Sequence, residues 1–208
     1  MSAFQGLRER VEAIVVGGSA GGVDALSVLL PALPADLRAP CFVALHLPRE
    51  RPSLLVEIFA PLCVLPVLEA DDKQAAEPGN VYFAPPDYHL LIEAGSQLAL
   101  SVDPPVHFSR PSIDVLFESA ADVYGERLLG IILSGANEDG AEGLAAVHRA
   151  GGITVVQHPG NALVSRMSEA ALLGSPIDFV LTLQEIAALL LSLGNAGGAS
   201  AEPPRGGI

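Results

Sequence analysis

The chain has 208 residues, half of them hydrophobic, with 5% aromatic residues and no Trp. That length suits one sizeable domain with ample material for a core. A net charge of −13, with 11 basic residues that form no run, excludes the electrostatic footprint of a nucleic-acid binder. Residues 13–17 are a short β-branched apolar run, readable as a buried strand. They break into Gly18-Ser19-Ala20-Gly21-Gly22, and residues 23–33 then read as a helix closed by Pro34. A second strand, 41–45, ends at His46; residues 54–62 read as a helix and 63–68 as a further strand. Residues 81–84, 89–93 and 97–101 are short strands separated by Pro85-Pro86-Asp87 and Ala94-Gly95-Ser96, the last pair a hairpin. Together they predict an antiparallel excursion at one edge of the sheet. Alternation resumes with a helix at 112–124, a strand at 128–133, a helix at 141–150 and a strand at 153–156. A helix at 165–173, a strand at 179–181 and a helix at 183–193 complete it.

This order predicts an α/β fold: a doubly wound, mostly parallel sheet with helices on both faces and an antiparallel hairpin at one edge. The domain runs from 13 to 193, after an N-terminal segment 1–12; residues 194–208, rich in Gly, Ala and Pro, read as a disordered tail. Cys41 and Cys63 lie in apolar stretches without metal-ligand spacing, and four of the five histidines (His89, His107, His148, His158) read as structural or surface residues. The N-terminus lacks a signal-peptide core, and no run approaches the ~18 apolar residues of a membrane span. The expectation is a cytoplasmic protein with reduced thiols, no metal or cofactor, and no membrane insertion.

Ligands bind such sheets beyond the carboxyl ends of the strands, so the residues at those ends carry the functional argument. Gly17-Gly18-Ser19-Ala20-Gly21 matches G-x-S-x-G between a strand and a helix, the setting that projects a nucleophilic hydroxyl from a sheet edge. A phosphate-binding glycine turn is the rival, but Ser19 and Ala20 stand where its glycines are required, and no Walker-type Lys follows. His46 ends the next strand, where a general base for Ser19 would sit. Asp139 follows a third strand and would orient the imidazole, with Glu138 and Glu142 as rivals by proximity. Asp72 and Asp114 read as ordinary caps. The order Ser, His, Asp excludes the common α/β-hydrolase order, in which the acid precedes the histidine.

These segments resemble the catalytic domain of the CheB chemotaxis methylesterases. The likeness rests on Val16 to Gly22, Leu45-His46-Leu47-Pro48, Val81 to Leu90, Ser109 to Phe117, and Leu133-Ser134-Gly135 with Asp139 to Gly143, in the family's order. It implies hydrolysis of glutamyl methyl esters on chemoreceptor cytoplasmic domains, with release of methanol, and deamidation of receptor glutamines. Ser19 would attack, His46 would take and return the proton, and Asp139 would hold His46. The backbone N–H groups of Ala20 and Ala136 are the expected oxyanion donors, and Arg110 and Arg166, with Arg149, the expected basic rim. Receptor is the implied partner, with a separate response regulator or methyltransferase as further candidates. Ala20, Ala136-Asn137 and His158 depart from the residues usual in the family, which leaves open a second reading, a weak or inactive scaffold module. The likeness begins at Ala13, so the sequence predicts a catalytic domain without a preceding receiver domain.

Overall fold

Buried β-branched strands separated by amphipathic helices build the molecule. The structure, a computed structural model, describes residue 4 and residues 6–47 and 52–195. A short helix α1 (Leu7–Arg10) precedes β1 (Ala13–Gly18), α2 (Gly22–Leu29), β2 (Cys41–Leu45), α3 (Leu55–Phe59), β3 (Val67–Glu69) and β4 (Val81–Phe83). The hairpin β5 (His89–Glu93) and β6 (Gln97–Ser101) leads to α4 (Ile113–Tyr124). There follow β7 (Leu128–Ile132), α5 (Ala141–Arg149), β8 (Ile153–Gln157), α6 (Arg166–Gly174), β9 (Phe179–Leu181) and α7 (Leu183–Leu191).

Seven strands pair in the order β3-β4-β2-β1-β7-β8-β9, all parallel, and β5-β6 form a separate antiparallel sheet. Every residue of β1, β2, β7 and β8 is buried, as strands covered on both faces require. Alternate residues feed two cores. Ile14, Val16, Val43 and Ile131 pack with Leu26 of α2 and Leu189 of α7. Ala13, Val15, Ala44 and Ile132 pack with Phe117 of α4 and Val147 of α5. Each large apolar side chain so buried contributes about 1.5–3 kcal/mol. Because α2 leaves β1 toward the first face and α5 leaves β7 toward the second, the strand order reverses between β1 and β7. A crevice opens there, at the carboxyl edge.

The hairpin has the predicted bounds, but β4, grouped with it from sequence, joins the main sheet beside β2 and β3. Two predicted helices are shorter than expected. Pro31 and Pro61, each lacking an N–H, turn the ends of α2 and α3 into single 3₁₀ turns at Leu30–Ala32 and Ala60–Leu62. The strand expected over 63–68 begins only after Pro66. At the C-terminus, Gly194 and Asn195 are ordered against the domain, the Asn195 N–H donating to Asp36 Oδ2 at 2.9 Å. The remainder of the expected tail, 196–208, lies outside the described residues. Among the described residues no helix is long and apolar enough to cross a membrane.

Candidate active site

β1 and β2 bring two of the expected residues to adjacent strand ends. Their last register pair is Gly18 with Leu45, and the His46 N–H extends the ladder to Gly18 O at 3.2 Å. Residues 13 and 15 of β1 and 42 and 44 of β2 face α4. One further alternation along β2 puts His46 on that same face, and two along β1 lead to Ser19, just past the last strand residue, on strands spaced by about 5 Å. The His46 Nε2 lies 2.7 Å from Asp139 Oδ2, and its Nδ1 lies 3.3 Å from Ser109 Oγ. Among the described residues Ser19 Oγ has no hydrogen-bond partner. His46 and Asp139 are therefore joined, whereas no hydrogen bond links the Ser19 hydroxyl to His46 among the described residues; the hydroxyl nearest Nδ1 is that of Ser109. Neither rival carboxylate, Glu138 nor Glu142, contacts His46 among the described residues.

Asp139 is fully buried, and four donors satisfy its carboxylate. Oδ2 accepts from His46 Nε2 and from the Ile113 N–H at 2.8 Å; Oδ1 accepts from Ser112 Oγ at 2.8 Å and the Asp114 N–H at 3.1 Å. Burial pushes this carboxyl's pKa up, but the His46 hydrogen bond, the two backbone N–H groups and the nearby imidazole outweigh it, so the pKa lies below the ordinary value. An ionised carboxylate on Nε2 assigns the ring proton to that nitrogen and leaves Nδ1 as the basic atom.

Much of this arrangement comes from the start of α4, which sequence reasoning had not placed in the site. Ser112 is the N-cap of α4, its Oγ accepting from the Val115 N–H at 3.4 Å while donating to Asp139. Asp114 is a cap, as expected, but of a different helix: its Oδ1 accepts from the Gly140 N–H at 2.9 Å and the Gly143 N–H at 2.7 Å at the start of α5. Burial first, then the neighbouring Asp139 charge, push the Asp114 carboxyl up to about 7, against the opposing pull of those N–H groups. His107 Nε2 stands 3.5 Å from its Oδ2. His89, expected to be structural, is buried, with Nδ1 accepting from the Ser112 N–H at 3.1 Å. The signal for this cluster was present in Pro111-Ser112-Ile113-Asp114, a helix-start signature.

The Ser19 turn is held by its backbone. The Ser19 N–H donates to Ser134 O at 2.9 Å, and Ser134 Oγ lies 2.7 Å from Ala20 O and accepts the Val164 N–H at 2.9 Å. Gly21 has φ +80°, and a Cβ there would stand 2.8 Å from Leu163 Cβ, so glycine is required twice over. Gly17 answers a different need: a Cβ would stand 2.3 Å from Ile113 Cγ2, so its absence lets α4 approach β1. Among the described residues the N–H groups of Ala20 and Ala136 make no hydrogen bond, and both residues are exposed.

The three arginines expected at the rim separate. Arg166 is exposed, pairs with Glu138 Oε2 at 3.3 Å, and helps line a cleft of about 380 Å³ with His107, Glu142 and Leu173. Arg110 is engaged locally, with Nη2 on Asp87 Oδ1 at 2.7 Å and Nη1 donating to Val102 O at 2.7 Å and Asp103 O at 3.0 Å. Arg149 lies in the last turn of α5, the end away from the crevice, because α5 runs back along the sheet from Gly140. It cannot join that patch. His158 sits just past β8, where its Nδ1 accepts from the Gly160 N–H at 3.0 Å. Among the described residues no group of three or more His, Cys, Asp or Glu side chains could hold a metal. The Cys41 thiol, pushed up to about 12 by burial, is no competing nucleophile.

A family model described as CheB methylesterase matches residues 14–190. A relative from Leptospira interrogans, provisionally named a protein-glutamate methylesterase/protein-glutamine glutaminase, is 43% identical over 182 residues, covering 88% of this chain and 94% of the relative. A Symbiobacterium thermophilum protein of that activity name is 38% identical over 175 residues, which are 80% of this chain but 48% of that protein. The crystal structure of the Thermotoga maritima CheB methylesterase catalytic domain matches with a TM-score of 0.84 at 29% identity, covering 88% of this chain and 99% of that domain.

Proposed function

The chain belongs to the CheB methylesterase family, and from that premise we propose that it hydrolyses glutamyl methyl esters on chemoreceptor cytoplasmic domains through Ser19, His46 and Asp139. The observation that carries the reading is the bond of His46 Nε2 to a buried, fully satisfied carboxylate, 2.7 Å long, with Nδ1 turned away from it. As the Ser19 oxygen attacks the ester carbonyl, its proton passes to Nδ1, and Asp139 stabilises the imidazolium. The N–H groups of Ala20 and Ala136, without other partners among the described residues, receive the developing oxyanion. Collapse breaks the C–O bond, and methoxide takes the Nδ1 proton and leaves as methanol. Water, deprotonated by Nδ1, then attacks the acyl carbonyl; the Ser19 Oγ–acyl bond breaks, Oγ takes the proton back from Nδ1, and glutamate leaves. A glutamine side chain enters the same cycle with ammonia as leaving group.

The test is methanol release from a methylated receptor cytoplasmic fragment. Wild type should turn the ester over, and Ser19→Ala should fall to the rate in buffer. Equal, slow release by both would replace the enzyme reading with that of a scaffold.

A further inference from the structure

We propose that Ser109 is a positioning residue for His46, its hydroxyl holding Nδ1 toward the reacting groups in both protonation states of the ring. The proposal rests on the serine-hydrolase reading above. With Nε2 committed to Asp139, Nδ1 is the nitrogen that must receive and return the proton, and Ser109 Oγ is 3.3 Å from it. A hydroxyl can serve both forms of the ring. Toward the resting neutral imidazole it donates to the single Nδ1 lone pair, and it releases that lone pair as Ser19 delivers its proton there. Toward imidazolium it accepts from Nδ1–H, and its own hydrogen turns to His107 O, which lies 3.4 Å away.

The backbone around Ser109 is built to deliver that hydroxyl. Val106 and Ser109 exchange both backbone hydrogen bonds, Val106 N–H to Ser109 O at 3.1 Å and Ser109 N–H to Val106 O at 2.8 Å. The two residues between them, His107 and Phe108, have φ +47° and +63°. A two-residue turn with both central residues at positive φ ordinarily uses Asn or Gly. Two bulky residues in that conformation cost of order 1–3 kcal/mol each, strain that persists only where the surroundings impose it and that clusters at functional sites. On the far side, Arg110 is tied to Asp87 and two carbonyls, and Ser112 grips Asp139. One strained segment thus holds both ends of the His46–Asp139 pair.

Ser109 could itself be read as a nucleophile, since Ser109, His46 and Asp139 form a continuous chain. Its own N–H is already spent on Val106 O, however, while the unpartnered N–H of Ala20 adjoins Ser19. The discriminating experiment compares wild type, Ser109→Ala and Ser109→Thr for methanol release, for the rate of inactivation by a serine-reactive phosphonate, and for thermal stability. Ser109→Ala should lower kcat about three- to tenfold with KM unchanged and slow phosphonylation of Ser19 by the same factor, and Ser109→Thr should restore both to within about twofold. A raised KM with unchanged kcat, a Thr variant as slow as the Ala variant, or a phosphonate adduct on Ser109 would each overturn the proposal. An active wild type with unimpaired Ser109→Ala overturns it alone. A wild type that neither releases methanol nor labels overturns the hydrolase reading and this proposal with it.

Discussion

The two ends of the His46 constellation are built in opposite ways. At the Asp139 end, a buried carboxylate takes four hydrogen bonds, two on each oxygen, from the starts of α4 and from the ring. At the Ser19 end, the backbone is pinned by Ser134 and the side chain touches nothing it could hydrogen-bond to among the described residues. The contrast separates two requirements of catalysis. A group that orients must not move, so folding energy is invested in fixing it; a group that reacts must meet substrate, so its hydrogen-bonding capacity is left open. Stability and activity should therefore respond differently to changes at the two ends.

The largest effect breaks the open end. Ser19→Ala should lower methanol release by roughly 10⁴-fold or more while leaving the melting temperature almost unchanged, because no hydrogen bond is lost; a large loss of stability would show that the hydroxyl has a structural partner. Asp139→Asn should cost both. Whichever way the amide is placed, its NH₂ meets two donors, so two of the four bonds are lost. Turnover should fall by roughly 10⁴-fold, and stability by about 2–4 kcal/mol, read by denaturant titration. Retained stability would mean the carboxylate is less committed than its geometry.

Ser112→Ala sharpens the same comparison from one shell further out. It removes the N-cap of α4 and one bond to Asp139, predicting a loss of about 1–2 kcal/mol and a turnover drop of about tenfold. The last effect is a slope and not a step. Asp114, raised from 3.8 to about 7, keeps a proton in the folded state that the unfolded chain has lost over that interval, so stability falls as pH rises from about 4 to about 7. Asp114→Asn retains an oxygen for the Gly140 and Gly143 N–H groups and should flatten that slope, by at most about 1.4 kcal/mol per pH unit. Asp139 acts in a separate window. Its lowered pKa gives stability that is present above the unfolded value and lost as pH falls through the folded one.

What the sequence made legible follows the same division. Strands with runs of four or more buried residues, the Gly-containing hairpin turn and the strand-end positions of Ser19 and His46 all carry local signals; Asp139 lies in the loop after β7 and bonds His46, but no hydrogen bond joins Ser19 to His46 among the described residues. The three-residue β4 is too short to display the period that distinguishes a buried parallel strand from a hairpin neighbour. Ser109, Ser112 and Asp114 stayed hidden for another reason: they meet His46, Asp139 and Gly140 across 63, 27 and 26 residues of chain, and no local pattern encodes such a meeting. Helices that run back along a parallel sheet begin at its carboxyl edge, so their N-caps point into the same crevice, and the start of α4 is one of these. The same polarity carries Arg149 to the wrong end of α5.

The central claim is that Ser19 is the nucleophile activated by His46. Mass mapping of the site labelled by a serine-reactive phosphonate tests it most directly. An adduct on Ser19 that disappears in His46→Ala is the predicted result. An adduct on another residue, or labelling of Ser19 that is as fast without the imidazole, would contradict it.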